Sequence, residues 1–354
     1  MASERFRIDD DLDAIQEWYR SRGLTDGLPI IPPTEARVKR LLDECGRDPG
    51  EVLGQVPPRQ AIVDVESAAI NAVMAGCPPK AFRVVLAAIQ AALKPEFNLT
   101  SVQTSTCPKS IMLIVSGPGA AKAGITGGYG VMGPCGSASN LSVGRAVNLC
   151  LVNVGGAQPG VGSKIAQGNP AKVSFCVTEN TEDSPWEHYH VRQGYKPNDT
   201  VVTLLSCTGA RNVNDHDSES ANRFLGVLSS ELMPLGQQSW YISNMMGRQG
   251  HCAILLAPEH ARLFGIERWS VRDLQQYLYE KVTHTVAEIR DGAMWLHRDW
   301  PPEVEALIGD SAAKIHLVSD PEDIHILVAG KAGKQSTFVP GAATTAVVTE
   351  IVRH

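Results

Sequence analysis

The chain has 354 residues, of which 43% are hydrophobic and 20% are charged, a balance typical of a globular protein. The net charge is −6 and no run of lysine and arginine occurs, so neither a nucleic acid nor an anionic membrane surface is an expected partner. No apolar stretch reaches the roughly 18 residues of a membrane span, and the first residues carry no apolar signal core. We therefore expect a soluble, cytoplasmic protein.

Eight cysteines are scattered along the chain, and their even number permits a disulfide framework. A chain of this length without a secretory signal favours reduced thiols instead. No Cys-x-x-Cys pair occurs, so neither a zinc ribbon nor a thioredoxin-type redox centre is indicated. The cysteines are Cys45, Cys77, Cys107, Cys135, Cys150, Cys176, Cys207 and Cys252.

Residues 1–96 are predicted to form a mainly helical N-terminal region. Apolar residues recur there at helical spacing, and a proline-rich extended stretch separates the first two helical segments. The expected helices span 9–22, 34–45, 64–75 and 79–93.

From about residue 97, short apolar runs alternate with helical segments, which predicts an α/β fold. Residues 106–117 and 319–330 share a turn, a proline, a buried strand and a glycine. This repeat favours two related α/β halves, over 97–210 and 211–354; a common strand pattern that occurs twice is the alternative. The expected strands span 99–105, 111–115, 173–177, 201–206, 253–256, 315–318 and 324–328, and the expected helices span 138–154, 218–233, 259–264 and 270–288.

Cys77 stands directly before Pro78-Pro79 and a helix-like run. Proline is favoured in the first turn of a helix, and the N-terminus of a helix favours an anion. A thiol at this place is expected to have a lowered pKa and to act as a nucleophilic thiolate. The alternative is a small buried cysteine that fills space at the helix end.

A glycine-rich loop over residues 124–140 precedes a helix. Closely spaced glycines let main-chain N–H groups approach a ligand, and a helix N-terminus with a nearby guanidinium suits a carboxylate or phosphate. The loop matches neither the phosphate-loop nor the dinucleotide spacing. Cys135 within it is a second candidate thiol, and a flexible connection with a helix cap is the alternative. The expected ligand-binding residues are Gly127, Gly128, Ser137, Asn140 and Arg145.

A strand leads into a polar loop over residues 174–190. Glu179 or Glu182 is a candidate general base, Asn180 a substrate contact and Trp186 an apolar pocket wall. His188 and His190 would point the same way on a strand, which permits metal binding. A solvated polar loop is the alternative.

Another polar cluster, residues 212–217, follows a predicted strand and precedes a helix. Ligands usually bind at the carboxyl ends of strands in α/β proteins. His216 is therefore a candidate general acid–base oriented by Asp215, with Asn214 as a substrate contact; Asp217 and Ser218 as simple helix caps are the alternative. The basic loop over 330–337 follows a further strand and suits an anionic group, although it lacks the phosphate-loop spacing.

Several motifs together resemble the UGSC-type proteins, a family named for a selenocysteine- or cysteine-Gly-Ser-Cys motif and associated with thiol redox chemistry. They are Asp26-Gly-Leu-Pro, Met74-Ala-Gly-Cys77-Pro, Gly144-Arg-Ala146, Asn153-Val-Gly-Gly156, Glu179-Asn180 with Ser184-Pro-Trp186, and Asn212-Val-Asn-Asp-His216. The similarity runs from about Trp18 to Val328. The motif itself reads Cys135-Gly-Ser-Ala138 here, so its second sulfur is missing and a redox step at Cys135 would need a distant or external thiol.

The sequence therefore predicts an enzyme that acts on a small carboxylate-bearing molecule and cleaves or transfers a bond to carbon. Its expected catalytic residues are Cys77 or Cys135 as thiolate nucleophile, with His216, Asp215 and Glu179 for acid–base chemistry. No cofactor is predicted, and a homo-oligomer is left open. One alternative is a metal-dependent hydrolase or lyase that uses His188, His190 and His216 to hold a divalent metal; another is a non-catalytic small-molecule binder.

Overall fold

The computed structural model describes residues 4–134, 136–238, 240, 250–292 and 302–353. The helices are α1 Leu12–Ser21, α2 Glu35–Cys45, α3 Val65–Met74, α4 Phe82–Ala92, α5 Leu99–Thr104, α6 Gly119–Lys122, α7 Ala138–Asn153, α8 Tyr189–Arg192, α9 Ala221–Leu232, α10 Pro258–Ile266, α11 Val271–Lys281, α12 Val286–Asp291 and α13 Pro302–Gly309. The strands are β1 Val52–Val56, β2 Ala61–Asp64, β3 Ser110–Ser116, β4 Cys176–Thr178, β5 Val201–Cys207, β6 Arg211–Asn214, β7 Cys252–Leu256, β8 Thr283–Thr285, β9 Lys314–His316, β10 Ile324–Val328, β11 Gln335–Pro340 and β12 Val348–Ile351.

The predicted α/β fold is confirmed, and it is built around two four-stranded sheets within the described ranges. The first sheet has the order β12-β5-β3-β4 and the second the order β6-β11-β7-β10. In each sheet the first two strand pairs are antiparallel and the third is parallel. The sheets therefore share one topology, in which β3 corresponds to β7, β4 to β10 and β5 to β11.

The edge strands β6 and β12 are exchanged between the two halves of the chain. Strand β6 follows β5 along the chain but pairs with β11 of the second sheet. Strand β12 follows β11 but pairs with β5 of the first sheet. The predicted second half, 211–354, thus contributes one strand to the first sheet. The sequence repeat aligns β3 with β10, whereas the sheet topology makes β7 the counterpart of β3.

Helices cover the outer faces of the two sheets, and the inner faces pack on each other. Residues of β3 alternate: Ile111, Leu113 and Val115 join a core with α3, α4 and α7, while Met112 and Ile114 join a core between the sheets. Strand β7 alternates in the same way between the inter-sheet core and a third core with α9, α10 and α11. The molecule is thus a four-layer arrangement of helices, sheet, sheet and helices.

Two local differences from the predicted elements appear in the first 105 residues. The segment predicted as a strand over 99–105 is helix α5, because the Asn98 side chain accepts a hydrogen bond from Ser101 N (3.4 Å) and caps a helical turn. The helical region also contains the antiparallel hairpin β1–β2, which the sequence analysis does not predict. Among the described helices, none is long and apolar enough to cross a membrane.

Candidate functional site

A cavity of about 620 Å³ opens at the carboxyl ends of the parallel strands β3 and β4. This edge of an α/β sheet is where ligands usually bind. Its lining combines the end of β3, the first part of the glycine-rich loop and the residues after β4, and we call it the Glu179 cavity. The lining residues used below are Ser116, Gly124, Gly127, Gly128, Glu179, Asn180, Glu182, His188 and Lys331.

Glu179 is a carboxyl group held in a largely dry environment, with 6% of the residue exposed. Its Oε2 accepts a hydrogen bond from Tyr189 N (2.8 Å), whereas the buried Oε1 has no hydrogen bond. A nitrogen of Arg192 lies 3.9 Å from Oε1. Burial raises the pKa of Glu179, although the Tyr189 N–H and the Arg192 guanidinium act in the opposite direction. A carboxyl group with a raised pKa can exchange a proton closer to neutral pH.

Asn180 joins the ends of two strands that belong to different sheets. Its side-chain nitrogen donates to the carbonyl oxygen of Gly330 and to Asp183 Oδ2, both at 2.8 Å. Its main-chain N–H donates to the carbonyl oxygen of Val328, the last residue of β10, at 2.8 Å. The sequence analysis predicts Asn180 as a substrate contact. Its donors are instead used by these bonds within the chain, so the residue shapes the wall of the cavity.

The glycine-rich loop reaches the cavity because Gly127 lies against the main chain of Glu179. A Cβ atom at Gly127 would collide with the carbonyl oxygen of Glu179, and because this is a main-chain atom the chain would have to shift to make room. The carbonyl oxygen of Gly127 also accepts a hydrogen bond from Gly330 N (2.8 Å). At Gly128 a Cβ would meet its nearest atom at 3.4 Å, an ordinary contact distance. Gly127, Gly128, Glu179 and Asn180 therefore lie together in the lining of the cavity.

Asn140 and Ser137 hold the loop and do not line the cavity. The Asn140 side chain is fully buried, accepts a hydrogen bond from Thr126 N (3.0 Å) and donates to the carbonyl oxygens of Thr126 (2.9 Å) and Val131 (3.2 Å). Ser137 Oγ donates to the carbonyl oxygen of Gly124 and caps α7. Both residues were predicted to contact substrate, and both instead fix the loop conformation. Cys135 lies outside the described residues.

Arg145 already binds a carboxylate from its own chain. Its Nε and one terminal nitrogen bond the two oxygens of Asp26 at 2.7 and 2.9 Å, and the guanidinium also donates to the carbonyl oxygen of Pro29 (2.9 Å). The two side chains are about equally buried, 16% and 15% exposed. The expectation that Arg145 binds a substrate anion is corrected: a fork-shaped ion pair occupies this guanidinium.

Cys77 is a buried thiol and does not line the Glu179 cavity. Burial raises its pKa to about 12, although the nearby Ser142 hydroxyl group acts in the opposite direction. Helix α4 begins only at Phe82, after the 3₁₀ turn Pro79–Ala81, so the positive end of its dipole is displaced from the sulfur. The structure contradicts the predicted thiolate and agrees with the space-filling alternative.

Asp215 does not orient His216. Its Oδ1 accepts hydrogen bonds from the main-chain N–H groups of Asp217 and Ser218, both at 3.1 Å. Burial acts to raise the pKa of Asp215, but these hydrogen bonds outweigh it and lower the pKa. His216 Nε2 instead lies 3.1 Å from the side-chain nitrogen of Gln335. The predicted acid–base pair is wrong because the carboxylate caps the turn before α9.

Asn214 is likewise outside the Glu179 cavity. It lies opposite Gln335 in the β6–β11 ladder, and its Oδ1 accepts a hydrogen bond from the Gln335 side chain (2.5 Å). Trp186, predicted as a pocket wall, packs against the core of the second helical layer. Its indole N–H donates to the carbonyl oxygen of Trp269 (2.8 Å), and its ring centroid lies 6.1 Å from that of Phe264.

The two histidines of the predicted metal site have different surroundings. His188 lines the Glu179 cavity, whereas His190 is fully buried and its Nε2 lies 3.3 Å from the carbonyl oxygen of Pro197. They do not alternate on a strand, because His188 occupies the position directly before the short helix α8 and His190 lies within it. Over the described ranges, no group of three His, Cys, Asp or Glu residues is placed to hold a metal ion.

The structure adds to the site three residues that are not among the site residues predicted from the sequence. Ser116 ends β3, and its buried Oγ has no hydrogen-bond partner. Lys331 Nζ lies 3.1 Å from Asp183 Oδ2 and 3.3 Å from Glu182 Oε2. Among the described residues, Arg192 forms an ion pair with Glu179. In the sequence, the basic loop over 330–337 indicates that Lys331 can bind an anionic group. No local sequence pattern indicates a role for Ser116 or Arg192.

The Glu179 cavity thus combines a buried carboxyl group, an unpartnered hydroxyl group, a rim lysine and closely approaching glycine main chain. Such a set can bind a small polar molecule and move a proton to or from it. Comparisons of the chain with models of known protein families, with curated proteins and with solved structures find no match.

Proposed function

We propose that this protein is an enzyme that moves a proton to or from a small carboxylate-bearing molecule bound in the Glu179 cavity. The observation that carries the proposal is Glu179 itself. It is a buried carboxyl group with a raised pKa and an oxygen that lacks a hydrogen bond, at the edge of the sheet where ligands bind. A perturbed titratable group in a cleft is a typical mark of an acid–base catalyst.

The size of the cavity and the lysine at its rim support the substrate class. A volume of about 620 Å³ lies in the range of small-molecule sites. Lys331 is the single Lys or Arg among the described lining residues, and its side chain is 32% exposed at the rim. A substrate carboxylate would bind there by displacing the Glu182 carboxylate, whose side chain is 83% exposed and whose ion pair with Lys331 is therefore weak.

The chemistry assigned to this arrangement is proton transfer at the carbon next to the substrate carboxylate. Ionised Glu179 takes the proton from carbon, and the electron pair of the C–H bond moves toward the carboxylate or an adjacent carbonyl group. We assign Ser116, a lining residue whose buried Oγ has no hydrogen bond, as the donor to the oxygen that gains charge. Return of the proton from Glu179 to carbon or to a leaving group completes an isomerisation or an elimination.

A thiol mechanism remains a second candidate for Cys135. The two residues before it, Gly133 and Pro134, line a separate cavity of about 1130 Å³ with apolar walls that include Phe175 and Leu141. The burial of Cys77 removes the other predicted nucleophile.

The experiment that tests the proposal is hydrogen exchange at carbon. Short-chain 2-hydroxy and 2-amino acids are incubated with the protein in D₂O, and loss of the C2–H signal, on the carbon next to the carboxylate, is followed by proton NMR. We expect at least one member to exchange with the wild type and not with Glu179→Gln. The matched control is Glu219→Gln, which changes an exposed carboxylate outside the cavity.

Two outcomes would contradict the proposal. Equal exchange rates in the wild type and Glu179→Gln would show that another group moves the proton. A ligand that raises the Tm of the wild type without any exchange or turnover would identify a non-catalytic binding protein.

A further inference from the structure

A second cavity, of about 960 Å³, lies between the N-terminal segment 4–8 and the helical layer. We call it the N-terminal cavity; its described lining shares no residue with that of the Glu179 cavity. Helices α1, α2 and α3 and the end of α7 supply most of its wall. The described lining residues that carry the argument are Phe6, Trp18, Tyr19, Ile70, Asn71 and Asn153.

Aromatic side chains form one wall of the N-terminal cavity. The ring centroid of Trp18 lies 4.8 Å from that of Phe6 and 5.0 Å from that of Tyr19. Burial raises the pKa of Tyr19, so its phenol stays uncharged. Such rings favour a flat aromatic ligand, which they contact in offset or edge-to-face geometry.

Two asparagines form a polar floor with one unused acceptor. Asn153 donates from its side-chain nitrogen to Asn71 Oδ1 (2.7 Å), and Asn71 donates to the carbonyl oxygen of Ser67 (2.9 Å). Asn71 is 4% exposed. Asn153 Oδ1 is buried and has no hydrogen bond. Because an unmade hydrogen bond at a buried acceptor is costly, a ligand that brings a donor to this oxygen gains affinity.

The charges of the described lining residues cancel. Three are acidic and three are basic: Glu4, Glu35, Glu66, Arg5, Arg7 and Lys39. Arg5 bonds both Glu35 and Glu66 at 3.0 Å, which also ties the N-terminal segment to α2 and α3. Lys39 bonds Asp43. A lining without net charge selects an uncharged ligand, since neither a carboxylate nor an ammonium group would find a surplus of opposite charge.

We propose that the N-terminal cavity is a binding site for an uncharged fused-ring heteroaromatic molecule that carries an N–H donor. Its rings lie against the wall of Phe6, Trp18 and Tyr19, and its N–H group donates to Asn153 Oδ1. This site is separate from the acid–base chemistry proposed at Glu179 and stands whether or not that chemistry occurs.

The test compares two probes of the same shape, indole and benzofuran. Benzofuran has an ether oxygen where indole has its N–H donor. Ligand-observed NMR titration against the full chain gives both dissociation constants. We expect indole to bind and benzofuran to bind about tenfold more weakly, the loss that follows when one buried hydrogen bond is not made. In Asn153→Leu the two probes should bind equally weakly.

Two further variants locate the site. Ile70→Trp fills the cavity and should abolish indole binding, whereas Asn148→Ala, on the same helix as Asn153 but outside the described lining, should leave it unchanged. Thermal unfolding of each variant confirms that it is folded. Three outcomes would each overturn the proposal. Two concern the wild type alone: equal affinity for the two probes, or no indole binding up to the solubility of indole. The third is full indole binding by folded Ile70→Trp.

Discussion

The side-chain nitrogen of Asn180 donates a hydrogen bond to the carbonyl oxygen of Gly330 at 2.8 Å. This contact joins the carboxyl end of β4 in the first sheet to that of β10 in the second sheet. The carbonyl oxygen of Gly127 bonds Gly330 N at the same place. The wall of the Glu179 cavity is therefore made where the two sheets meet, and its geometry depends on both.

Replacement of Asn180 by alanine should lower the free energy of unfolding by about 1 kcal/mol, because its buried side chain loses the hydrogen bonds to Gly330 and Asp183. Asn198→Ala, at an exposed residue of the same cavity lining, should change it by less than about 0.5 kcal/mol. Urea unfolding measures both values. Similar small effects in the two variants would mean that the Asn180 contacts do not hold the sheets together.

The glycine-rich loop offers a matched pair of substitutions. Gly127→Ala should destabilise the protein by about 1–3 kcal/mol, because the added Cβ collides with the carbonyl oxygen of Glu179. Gly128→Ala meets its nearest neighbour at an ordinary contact distance and should be close to neutral. Thermal unfolding gives the stabilities, and exchange at substrate carbon should fall in Gly127→Ala alone. A neutral Gly127→Ala would show that the loop is free to move away from Glu179.

The raised pKa of Glu179 predicts a pH-dependent stability. A carboxyl group with a higher pKa in the folded than in the unfolded protein binds its proton more tightly when folded. Its stabilising contribution is complete below the unfolded pKa of about 4.3 and is lost as the pH rises through the folded value. The wild type should therefore lose stability relative to Glu179→Gln over this range, as measured by urea unfolding at stepwise increasing pH. A constant difference between the two proteins would contradict the raised pKa.

Cysteine alkylation mapped by mass spectrometry separates the thiol candidates. Cys77, buried and with its pKa raised to about 12, should stay unlabelled by iodoacetamide until the protein unfolds. Partly exposed Cys107 should react slowly, because burial also raises its pKa. Rapid labelling of Cys77 in the native protein would contradict its burial. Rapid labelling of Cys135 well below the ordinary thiol pKa of about 8.5 would instead support the second candidate mechanism.

Strands could be predicted where their own residues form a recognisable apolar pattern. Strands β3, β5, β7 and β10 are buried on both faces, so they appear in the sequence as continuous apolar runs. Glu179 and Asn180 could be placed at a strand end for the same reason. Helix α5 could not be predicted, because a single capping side chain decides between two conformations of a short segment.

Roles that depend on distant partners could not be predicted from local sequence. Arg145 has the chemistry of an anion-binding residue, but its anion is Asp26 of the same chain. Cys77 precedes a helix, yet tertiary packing removes the water that a thiolate needs. In both cases the residue type indicates a capability, and a contact from another part of the chain decides whether it is used.

The exchange of β6 and β12 makes the two halves of the chain interdependent. A cut between residues 210 and 211 would leave the first half without β12 and expose the edge of β5, seven consecutive buried residues. An uncovered apolar edge of this kind recruits other strands and promotes aggregation. The first half should therefore be recovered in folded form only when the C-terminal segment is supplied with it, so the two sheets constitute one cooperative folding unit.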